Sequence, residues 1–88
     1  MQTNPKMTSP SANESESRQI EAIHKEIEGF RAEQAALQAQ VKDLLAREDP
    51  ARGITFHADI FRMQQDKLRL DTEIQFLQVR LKRLTATW

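Results

Sequence analysis

Cysteine is missing from this 88-residue chain, which excludes disulfides, thiol chemistry and cysteine-bound zinc. Its absence is compatible with a cytoplasmic address without fixing the redox compartment. Tyrosine is missing as well, and only two glycines and three prolines punctuate the chain. With 30% of residues charged, such a composition points to long exposed helices rather than a compact globule. No apolar run of about eighteen residues is present to span a membrane as a helix, and no glycine-rich phosphate loop occurs. Nor is one charge in excess. Thirteen Lys and Arg offset thirteen Asp and Glu, unlike the basic balance of a dedicated nucleic-acid binder. The length holds one domain at most, which argues against a multi-step enzyme.

What is there begins with a polar stretch. Residues 1–17 hold Met1, Met7 and Ala12 as their only apolar side chains and are interrupted by Pro5 and Pro10. That is too little to offset the entropy of ordering them, so a disordered tail is expected. The stretch lacks the apolar run of a signal peptide, and its glutamates argue against a transit peptide. Met7 offers a second start and Ser9 before Pro10 a phosphate acceptor, both short matches of a kind that arises by chance. Ser11 with Glu14, or Asn13 with Glu16, has capping-box spacing, which predicts a helix start between residues 12 and 18.

From Ile20 the apolar residues recur at alternating steps of three and four, one stripe of an α-helix. In heptad terms Ile20, Ile27, Gln34 and Val41 occupy a, and Ile23, Phe30, Leu37 and Leu44 occupy d. Pro50 then disfavours helical geometry at Asp49, and Gly53 readily takes a positive φ. A second run follows, with Ile60, Lys67, Ile74, Leu81 and Trp88 at a, and Phe56, Met63, Leu70, Leu77 and Leu84 at d. Thr55 is the predicted N-cap of the second helix. One unbroken helix would carry the a positions from Val41 to 48, 55 and 62, whereas the second run has its a residue at Ile60. That slip is neither a stammer nor a stutter. The chain is therefore expected to double back between two helices.

Facing residues whose numbers sum to 104 pair every a with a d residue, among them Phe30 with Ile74, Ile27 with Leu77 and Ile23 with Leu81. The polar core residues Gln34 and Lys67 then lie one layer apart, where polar a residues fix register at some cost in stability. Snorkelling of Lys67 to water is the plainer alternative. Across the seam Arg47 is expected to meet Asp59, Glu26 to meet Arg80 and Arg31 to meet Asp71, with Glu33 against Glu73 unfavourable. Trp88 is expected to close the open end of the core.

Apolar residues also lie off the seam. Phe61, Leu68, Phe76 and Val79 sit on the far side of the second helix, and Gly29, Ala32, Ala36, Ala39 and Ala46 form a small-residue stripe on the first. Alanine fills helix surfaces cheaply; four large apolar side chains on an outer face mark a contact. A lone seam also buries few side chains for the residues it orders. These features predict an all-α fold, an antiparallel two-helix coiled-coil hairpin dimerising into a four-helix bundle. Its expected parts are a tail over 1–17, a first helix over about 15–48, a turn over about 49–55 and a second helix over about 56–86.

Chemistry-bearing motifs are sparse. Glu21 and His24 have the Glu-x-x-His spacing of di-metal bundles, but they flank the seam and no second copy of the motif occurs, so no metal or cofactor is expected. His57 lies near the turn and His24 near the open end of the hairpin, many helical turns apart and too far for a catalytic pair. The serines and threonines have no base placed to activate them. Arg80, Lys82 and Arg83 are the one basic concentration, suited to a helix C-terminus or to a phosphate contact. The expected function is that of a non-enzymatic, cytoplasmic protein–protein interaction module. It would be a homodimeric hairpin acting as assembly factor, adaptor or small chaperone for a helical client. The alternative is a small dimeric nucleic-acid-associated regulator using the basic end.

Overall fold

The computed structural model describes residues 12–86. Two helices make up most of them: α1, Ala12–Arg47, and α2, His57–Thr85. They run antiparallel and pack along one seam, so the fold is an all-α helical hairpin. Among the described residues the only β-type pairing is an isolated bridge between Asp49 and Ile54 in the turn.

Both helices are built from Ala, Leu, Glu, Gln, Lys and Arg, which lose little side-chain freedom in a helix. The seam supplies the rest of their stability. Ile23 and Ile27 of α1 are buried with Ile74 and Leu77 of α2, and Phe30, Leu81 and Leu84 pack against this cluster. It joins the partners assigned by the sum of 104. Val41 and Leu70 are buried further toward the turn. Gly29 stands mid-helix and exposed, and a Cβ built on it meets nothing within 4 Å. Gly29→Ala is therefore expected to stabilise the hairpin by about 0.5 to 1 kcal/mol, raising the midpoint of urea unfolding without changing its slope.

The turn is tight and closed by backbone hydrogen bonds. A single 3-10 turn, Pro50–Arg52, places Pro50 at its first position, where a missing N–H costs nothing. The Arg52 N–H donates to the Asp49 carbonyl at 2.9 Å and the Gly53 N–H to the Pro50 carbonyl at 3.0 Å. Asp49 and Ile54 exchange two backbone bonds at 2.8 and 3.0 Å. Gly53 takes φ +76°, a left-handed conformation that a Cβ disfavours.

Several local expectations are corrected. Thr55 does not cap α2. The helix starts at His57 after Phe56, and the Phe56 N–H donates to Glu48 Oε2 at 3.0 Å. An acceptor reaching across from the end of α1 thus does the work of a local cap, and the negative carboxylate suits the helix N-terminus. Arg47, whose guanidinium carbon lies 5.9 Å from the Phe56 ring centre, covers the same corner. Arg47 pairs with Asp43 and Asp59 with Arg62, rather than with each other. Arg52–Asp49 and Arg69–Asp66 are likewise local pairs. Exposed arginines find an acid three or four residues away on their own helix more cheaply than across a seam.

α1 starts at Ala12, the early edge of the predicted window, so residues 12–17 are helical where a tail was expected. Extending an existing helix fixes one residue per bond gained, and Glu14 in the first turn favours the positive end of the helix dipole. Met7, Ser9, Ser11 and Trp88 lie outside the described residues.

Candidate interaction face

With 3.6 residues per turn, Phe61, Leu68 and Val79 fall within about 20° of one line along α2, and Phe76 lies about 60° to one side. That line runs about 170° around the helix from the centre of the seam. The seam buries Leu70, Ile74 and Leu77, and the opposite side is left bare. Phe61 is 65% exposed, Leu68 61%, Phe76 67% and Val79 48%. Thr72, Gln75, Phe76 and Val79 line a shallow open hollow within this stripe.

Ala32, Ala36 and Ala39 are also exposed, on the side of α1 that faces away from α2. The hairpin is thus a two-helix ribbon with a large apolar stripe on one edge and a small-residue stripe on the other. Within a single chain the two stripes do not meet. The ribbon's flat faces are polar: Arg31, Gln38, Gln64 and Asp71 flank the seam on one side, and Glu26, Glu33, Asp66 and Glu73 on the other.

Gln34 and Lys67, a layer apart in the predicted register, are joined by one hydrogen bond, and Lys67 makes a second to Gln38. Gln34 Nε2 donates to the Lys67 carbonyl at 3.1 Å, and the Lys67 ammonium donates to Gln38 Oε1. Both residues are half-buried. Lys67 thus bends sideways out of the seam and finds an amide on the opposite helix. The sequence reading missed Gln38 because it stands at a flanking position, where only the path of the lysine stem singles it out. It also missed Leu45 and Ile54, which are exposed near the turn and belong to no stripe.

Arg80, Lys82 and Arg83 are exposed in the last turns of α2. Glu21 and His24 are exposed, and no group of three or more His, Asp and Glu that could hold a metal ion occurs among the described residues. Two threonine hydroxyls serve the backbone: Thr72 Oγ1 donates to the Leu68 carbonyl at 3.2 Å and Thr85 Oγ1 to the Leu81 carbonyl at 2.9 Å. No described helix is long and apolar enough to cross a membrane. No protein family, curated protein or solved structure matches the chain.

Proposed function

We propose that the chain is a non-enzymatic interaction module, a hairpin that self-associates through the outer stripe of α2 and serves as an assembly factor, adaptor or small helix-binding chaperone. The exposure of Phe61, Leu68, Phe76 and Val79 on one side of one helix carries this reading. Apolar residues scattered singly are normal on a monomer, whereas four large ones recurring on one side of one helix mark a contact surface. The row rises over five helical turns, about 27 Å, a length suited to receiving another amphipathic helix by its i, i+3, i+4 and i+7 side chains. A cysteine-free chain suits a reducing cytoplasm. The basic end favours nucleic acid less, because Glu26, Glu33, Asp66 and Glu73 make one flat face acidic and would repel a phosphate backbone.

Leu68→Glu, a charge placed in the middle of the stripe at a residue that is 61% exposed, tests the reading by sedimentation equilibrium. Wild type is expected above monomer mass at micromolar concentrations, and the variant is expected to be monomeric with the same helical circular dichroism. A monomeric wild type, or a variant of unchanged mass, would show that water covers this face.

A further inference from the structure

The stripe on α2 reads nearly the same in both directions. In chain order its positions are Phe61, Gln65, Leu68, Thr72, Gln75 and Val79, spaced four and three residues apart as a helical seam requires. Turned end for end, Phe61 faces Val79, Gln65 faces Gln75 and Leu68 faces Thr72, every pair summing to 140. Large apolar residues meet at both ends and amide meets amide between them. On the flank, Phe76 comes against Arg62 of the other copy, an arrangement in which a guanidinium covers an aromatic face. A two-fold contact demands this kind of self-complementary surface.

Resting on the self-association reading above, we propose that a second copy of this chain covers the stripe. The two α2 helices pack antiparallel about a two-fold axis at the level of Arg69 and Asp71. Four helices then lie in a layer, in the order α1, α2, α2, α1. A square bundle would bury a flat face of each hairpin, and those faces hold Arg31, Asp71, Glu33 and Glu73, charges that are expensive to desolvate. The edge contact leaves them in water.

The arrangement has an electrostatic signature. At the axis Arg69 meets its own copy on one flank and Asp71 meets its own copy on the other. Asp66, 3.8 Å from Arg69, offsets part of the first repulsion. Two exposed like-charge pairs remain to be screened, so added salt strengthens the dimer. The competing contact, α2 of one copy on α1 of the next, sets a helix of six bases and four acids on one of five bases and seven acids. Salt would weaken that contact, and it would not close at two copies.

The absence of native cysteine makes the register directly readable. Gln65→Cys and Gln75→Cys are made as separate chains, so that no apolar anchor is removed. Mixed and oxidised, they are expected to form a covalent heterodimer. Either alone is not, since its own copies stand about 15 Å apart along the axis. Sedimentation of the wild type is expected to give a dimer whose Kd tightens about two- to five-fold between about 0.05 and 0.5 M salt. Self-crosslinking of Gln65→Cys alone, a dimer without the mixed crosslink, or masses growing past dimer and falling with salt would each overturn this pairing while leaving self-association standing. A monomer under all conditions would remove the self-association reading itself.

Discussion

Ile74→Ala is expected to cost the hairpin about 2 to 4 kcal/mol and to lower its melting temperature by on the order of 10 to 20 °C, followed by far-ultraviolet circular dichroism. Ile74 is 4% exposed and belongs, with Ile23, Ile27 and Leu77, to the buried cluster at the open end of the seam, against which Phe30 packs. Removing its outer carbons costs their transfer free energy and leaves a gap that the two helices cannot close without giving up contacts elsewhere. The fold has no second layer to share the loss. Phe76, two residues on, is the control. It is 67% exposed, so its replacement by Glu is expected to leave the helix content and the seam of the single hairpin intact. If Ile74→Ala melted at the wild-type temperature, the seam assigned here would not be what holds the helices together.

The same contrast shows what was legible in the residues. A period of three and four between apolar side chains reports directly on burial, because only a helix puts those positions on one side. Ile23, Ile27, Ile74 and Leu77 could therefore be assigned to the seam, and Phe61, Leu68, Phe76 and Val79 to the opposite side, before any coordinates. Pro50 and Gly53 were equally readable, since each restricts the backbone by its own covalent structure. Long flexible side chains were not. Glu48 caps α2 from the end of α1, and Lys67 leaves the seam for Gln38; neither choice is written in spacing. The ion pairs went to local partners for the same reason, as a guanidinium on a long stem reaches several acids of nearly equal worth.

Replacing both polar seam residues, Gln34→Leu with Lys67→Leu, is expected to stabilise the hairpin by at most about 1 kcal/mol and to raise its melting temperature by on the order of 5 °C. Each is half-buried, so about half of a full leucine burial is gained at each position. Against this stand the bonds from Gln34 to the Lys67 carbonyl and from Lys67 to Gln38, whose net worth is about 1 kcal/mol apiece. The change removes the polar layer that would set register in two separate helices, yet the register is expected to hold. Nine residues, Glu48 to Phe56, join the helices, and the turn is closed by two backbone bonds between Asp49 and Ile54. A slip of one heptad would move α2 by about 10 Å along α1 and could occur only by breaking the turn or unwinding a helix end. Spin labels at His24 and Gln78, both at flanking positions near the open end, should report the same distance in the double variant as in the wild type. A changed distance would show that the polar layer, and not the turn, sets the register. An unchanged distance with a higher melting temperature would mean that Gln34 and Lys67 lower stability without being needed for the hairpin, which leaves discrimination among partners as the physical role open to them.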